Sequence, residues 1–126
     1  MTLSLADALP RRLPTSDRGA ITFTLKVLRV AGYKPDQIFD EDEATYVALP
    51  KDVASAVREI TGVDDATVLF KGEDGDSFYV RFVMGNDPTE VVCDHSWRDD
   101  EGDAGWKAFD ALNQLNDRWS ELEANA

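Results

Sequence analysis

The chain predicts an α+β domain: a small antiparallel sheet, made of a three-stranded meander plus a short strand, with helices packed on one face in the order α-β-α-β-β-β-α. Three observations carry that expectation. Apolar residues recur with helical spacing in three segments, three consecutive later runs are rich in strand-forming residues, and those runs are separated by turn-rich loops. At 126 residues the chain has the length of one domain, and folding removes roughly two thirds of its unfolded surface from water.

Residues 1–16 contain Pro10, Arg11, Arg12 and Pro14 with little periodicity and are read as an N-terminal arm, lying against the body or loose; residues 17–126 are read as a single α+β domain. Thr15, Ser16 and Asp17 offer helix caps ahead of Ile21, Leu25 and Leu28, and Gly32 stands where a helix commonly stops. A helix over 17–31 follows. A strand competes for the same segment, because Ile21, Phe23, Leu25 and Val27 alternate with Thr22, Thr24 and Lys26.

Residues 44–49 are rich in β-formers and bounded by an acidic run and Pro50, which predicts a short strand. Val53, Ala56, Val57 and Ile60, with Gly62 just beyond, predict a helix over 51–60. The meander comprises 66–71, 77–84 and 89–95, separated by Gly72 to Asp76 and by Gly85 to Pro88. Ala108, Leu112, Leu115, Trp119 and Leu122 predict the final helix, with Phe109 and Trp106 on the same broad side.

Charge narrows the function classes. Asp and Glu number 25 against 13 Lys and Arg, a net charge of −12. That argues against direct binding of nucleic acid or of an anionic membrane through a basic surface. The imbalance is uneven along the chain: residues 1–34 carry net +4 and residues 35–126 net −16. Acids cluster at Asp40, Glu41, Asp42 and Glu43, at Glu73 to Asp76, and from Asp94 to Asp103, where Asp99, Asp100 and Glu101 stand in a row. A lone Cys93 excludes an internal disulfide framework and suits a reducing, cytoplasmic compartment. No apolar run approaches the ~20 residues of a membrane helix, and Asp7 interrupts the N-terminal stretch where a signal peptide would be apolar.

Signatures of chemistry are weak. No G-x-x-x-x-G-K-[ST], G-x-G-x-x-G or G-x-S-x-G element is present, and the acidic loops do not match the EF-hand pattern. Cys93 and His95, two apart in a strand, would share a face as a thiolate–imidazole pair would, but a single Cys beside Val91 and Val92 reads better as a small buried hydrophobe. One Cys and one His do not make a zinc site. The expectation is a non-enzyme with no catalytic residues, no metal and no cofactor.

The sheet is more informative. Phe78, Val80, Phe82 and Met84, with Ala66, Val68 and Phe70, form the core face, leaving Leu69, Tyr79 and Val83 on the second face with one of Val91 or Val92. That is more apolar surface than solvent contact needs, so it is read either as a surface for a partner or a second copy of the chain, or as a face covered by the first helix or the arm. Trp97, amid Ser96, Arg98 and Asp99, is read as an exposed anchor for a protein partner or as a side chain folded over the sheet edge.

The leading expectation is an acidic, non-enzymatic inhibitor that binds a basic protein surface through Asp40 to Glu43, Trp97 and Asp99 to Glu101. Its extreme form is a mimic of the nucleic-acid phosphate array. Small anti-restriction and anti-CRISPR proteins of phages and mobile elements use that logic, which is an analogy of class only. The alternative is a dedicated chaperone or immunity protein for one effector or toxin, bound through the outer sheet face.

Overall fold

The computed structural model describes the backbone of residues 4–50, 52–73, 77–85, 87–97 and 106–125, together with the side chains of all of these except 93–97 and 106. Capping chemistry sets where its helices begin. In α1 (Leu5–Ala8) the Ser4 hydroxyl accepts the Asp7 N–H while the Asp7 carboxylate accepts the Ser4 N–H, a reciprocal capping box. Ser16 caps α2 (Asp17–Val30) by accepting the Gly19 N–H at 3.1 Å. Gly32, at φ +100°, turns the chain out of that helix into the sheet, a conformation glycine adopts without strain. The strand alternative for this segment loses because Ala20, Ile21, Thr24, Leu25, Val27 and Leu28 make one broad buried stripe only at helical spacing.

Asp52 caps α3 (Val53–Thr61) by accepting the Ser55 N–H at 2.9 Å, which starts this helix two residues later than expected. Ala56, Val57 and Ile60 are its buried face. In α4 (Trp106–Ala124) the buried stripe is Ala108, Ala111, Leu112, Leu115 and Trp119. Phe109, expected on that stripe, is instead 40% exposed. A helix turns about 100° per residue, so with Ala108 centred on the core its neighbour points away, and Ala111 fills the place.

Five strands form one antiparallel sheet in the order β2-β1-β3-β4-β5: β1 (Tyr33–Asp40), β2 (Thr45–Ala48), β3 (Asp65–Gly72), β4 (Ser77–Val83) and β5 (Val92–Trp97). The expected class and the packing of helices on one face hold. The expected element order does not hold in full, since it lacked both α1 and β1. β1 escapes a sequence reading because Pro35 interrupts it and Lys34, Asp36 and Gln37 blur its alternation. The structure accommodates Pro35 at an irregularity, where the register shifts between Pro35, opposite Phe70, and Gln37, opposite Leu69. The Asp36 carbonyl there accepts the Leu49 N–H at 3.0 Å.

The strand expected over 89–95 also begins later. Asp87 accepts the Thr89 N–H at 3.1 Å and Pro88 follows it, so Pro88–Glu90 form a single 3-10 turn before β5. Beneath the sheet, one core gathers Val68, Phe70, Phe78, Val80 and Phe82 with Ile21, Leu25 and Leu28 of α2, Ile60 of α3 and Leu112, Leu115 and Trp119 of α4. Leu5, Leu9 and Leu13 pack against its margin, so the arm lies on the body.

Candidate functional site

The acidic run Asp40 to Glu43 occupies the β1–β2 hairpin, with Asp40 paired to Thr45 across it. Asp40 Oδ1 accepts the N–H groups of Asp42 at 2.9 Å and Glu43 at 3.4 Å, holding the turn in a fixed shape. Ala44 closes the turn at φ +53°, the left-handed region. The four acids are therefore presented by an ordered tip, and Asp40 serves the turn besides adding charge.

That tip forms one wall of a groove of about 470 Å³. The other wall is the α3–β3 connection with Glu59, Val63, Asp64 and Asp65. Among the described residues, six carboxylates and no cation line the groove. Arg81 of β4 offsets one of them: its Nε donates to Asp65 at 2.9 and 3.2 Å, and its Nη2 closes the second arm of a bidentate pair. That contact holds the Asp65 carboxyl below its ordinary range. Asp40, Glu41, Asp42, Glu59 and Asp64 have no cationic partner among the described residues. The result is a concentrated negative field around an apolar floor.

The floor matters as much as the charge. Three large apolar side chains are exposed among the described residues, Phe39 at 37%, Val63 at 44% and Phe109 at 40%, and the first two lie in this groove. Phe39 also joins the groove to the outer face of the sheet. Its ring stands edge-on to Tyr46 at 5.2 Å, and the Tyr46 ring lies 6.2 Å from that of Tyr79. Burial, and then the neighbouring Tyr79, raise the Tyr46 phenol above its ordinary value.

Leu69 pairs across the sheet with Tyr79, and Val83 with Asp65, so Leu69, Tyr79 and Val83 share the outer face as expected. All three are half-buried. α2 does not cover them, because its buried stripe belongs to the core on the opposite face. The aromatic arc Phe39–Tyr46–Tyr79 runs along this face, and neither Phe39 nor Tyr46 was singled out from the sequence. The signal for Tyr46 was its place in a short strand; for Phe39 it was hidden with β1 itself.

Other expected positions are placed in part. The Trp97 backbone pairs with Phe78 at the end of β5, and its side chain lies outside the described residues, as do Asp99, Asp100 and Glu101. The β5 register shifts between Arg81, opposite Asp94, and Phe82, opposite Val92, so Cys93 falls at an irregularity and strict alternation cannot assign it the face of His95. The side chains of both lie outside the described residues. Among the described residues no group of three carboxylate, imidazole or thiol side chains is placed to hold a metal ion, and no helix is long and apolar enough to cross a membrane.

Comparison with family models, with curated proteins and with solved structures finds no match to this chain.

Proposed function

We propose that this chain is a non-enzymatic binding protein whose acidic groove and adjoining aromatic face occupy the basic surface of a nucleic-acid-handling protein in the cytoplasm. The observation that carries the reading is the coincidence of exposed apolar groups and unpartnered carboxylates in one groove. Nucleic-acid-binding surfaces combine cations with aromatic or apolar stems, so Phe39 and Val63 supply contact area while Asp40 to Asp42, Glu59 and Asp64 supply the field. Carboxylates carried on an ordered hairpin backbone present charge without the entropy loss of ordering a loose loop on binding.

The test is retention of partners from lysate on the tagged protein, compared with a variant carrying Asp40→Asn, Glu41→Gln, Asp42→Asn and Glu43→Gln. The reading expects a nucleic-acid-handling protein that is released by salt, displaced by duplex DNA, and poorly retained by the variant. Unchanged retention and salt dependence in the variant would sink it.

A second reading, a dedicated chaperone or immunity protein for one effector, draws on the aromatic arc Phe39–Tyr46–Tyr79. Burial of such a face resists salt. A single effector held through high salt, and lost with Tyr46→Ser and Tyr79→Ser but not with the neutralised hairpin, decides for it.

A further inference from the structure

A second groove, of about 730 Å³, lies on the helix layer between the N-terminal arm and α2. Its character is the reverse of the acidic groove. Among the described residues Arg11 and Arg12 of the arm and Lys26 and Arg29 of α2 line it, against one acid, Asp7. In a chain with almost twice as many acids as bases, four gathered cations would ordinarily find carboxylates. None of the four has an ion-pair partner among the described residues, and the Asp7 carboxylate is occupied by the Ser4 hydroxyl at 2.8 Å. Lys26 stands 6.0 Å from the Phe23 ring.

The rest of the lining is mostly apolar: Leu9 and Pro10 from the arm, Phe23 and Val30 from α2, and Val53 from the start of α3. The arm is a fixed wall, because Arg118 of α4 donates through Nε to the Pro10 carbonyl at 2.8 Å and α1 is closed by its capping box. The volume lies within the roughly 300–1,000 Å³ typical of small-ligand sites.

We propose that this groove binds a single-chain amphiphile with an anionic head, the head among Arg11, Arg12, Lys26 and Arg29 and the acyl chain along Leu9, Phe23 and Val30. Charge complementarity selects the head: four cations without an ion-pair partner line one groove, and an anion held among them gains a favourable local field. The apolar lining selects the chain, since a purely ionic ligand leaves it wet. A nucleic acid is disfavoured, because the net charge of −12 repels a polyanion while a single head group meets only the local field.

The test is isothermal titration of the full-length protein with monomeric dodecanoate, with acetate as head alone and with an uncharged dodecyl glycoside as chain alone. Dodecanoate is expected to bind at least roughly tenfold more tightly than either, and Arg12→Gln with Arg29→Gln to weaken it by a similar factor while the thermal midpoint stays put. Both arginines are exposed, so the variants fold. Equal affinity for the glycoside, or no effect of the substitutions, overturns the proposal. So does concentration-dependent self-association in sedimentation that the same substitutions abolish, because the groove would then hold a second copy's acidic hairpin.

Discussion

Tyr46 on β2 and Tyr79 on β4 bring their ring centroids to 6.2 Å of each other although β1 and β3 run between them. At about 4.8 Å per strand step their backbones stand about 14 Å apart, so both side chains lean inward over the sheet. The outer face is thus spanned by its own aromatics. Aromatic pairs of this separation contribute about 0.5–1.5 kcal/mol beyond their buried area. A double-mutant cycle of Tyr46→Ala and Tyr79→Ala, followed by urea unfolding, should return a coupling in that range; strictly additive costs would show that the rings are adjacent without interacting.

The same contact predicts an alkaline limb of stability. Tyr46 titrates above its ordinary 10.0 in the folded state, because burial and Tyr79 both disfavour its phenolate. Its contribution is complete below the unfolded value and is lost as pH rises through the folded one. Absorbance titration of the protein and of Tyr46→Phe should assign a late-ionising phenolate to Tyr46, and Tyr79→Phe should move it part of the way back, since burial, the larger cause, remains.

On the acid side the relevant pair is Asp65 with Arg81. The arginine's hydrogen bonds lower the Asp65 carboxyl, so this contribution is present above the unfolded value near 3.9 and is lost as pH falls through the folded one. The Arg81 and Asp65 side chains are 50% and 38% exposed, respectively, so solvent screening limits their coupling to about 0.2–1 kcal/mol despite the bidentate geometry. A cycle of Asp65→Asn and Arg81→Gln measured at pH 7 and again at pH 3 should show that small coupling shrinking. A value above 2 kcal/mol at pH 7 would mean that the pair is far less wet than its exposure implies.

Ala44 at φ +53° closes the acidic hairpin in a region that costs a non-glycine residue about 1–2 kcal/mol. Glycine removes that strain but loses about 0.5–1 kcal/mol of chain entropy, leaving a net gain between zero and about 1.5 kcal/mol for Ala44→Gly. Thermal unfolding checks the sign. Destabilisation would indicate that the alanine methyl makes a contact the turn depends on.

Most helices and the meander are legible in the sequence because period and punctuation agree there: Val53, Ala56, Val57 and Ile60 sit between Asp52 and Gly62, and Phe78, Val80 and Phe82 alternate without interruption. β1 is illegible for the opposite reason. Pro35 argues locally against a strand that tertiary pairing with both β2 and β3 nonetheless stabilises. Missing β1 hid the second wall of the site. The acids at 40–43 stand out by charge alone, but only the strand shows that they sit on a hairpin facing Glu59 and Asp64, which are distant from it in the chain. Exposed Phe39 and Val63 could be recognised as a pair only once the two walls were in place.

Arg118 ties the two ends of the chain together, because its Nε–H bonds the Pro10 carbonyl at 2.8 Å while its Nη1 meets Glu121 at 3.2 Å. The Glu121 contact is an exposed helix pair of little consequence, whereas the Pro10 bond restrains a segment whose remaining anchors are Leu5, Leu9 and Leu13 at the core margin. Arg118→Leu removes one charge-assisted hydrogen bond, worth about 1.5–3 kcal/mol, from the arm alone. The arm should then open locally more often without the domain unfolding. Limited trypsin digestion reads this directly at the exposed Arg11 and Arg12, where cleavage should accelerate by roughly ten- to a hundredfold while the urea midpoint moves little. If cleavage and global stability change together, the arm is a cooperative part of the fold and not a strap held on its surface.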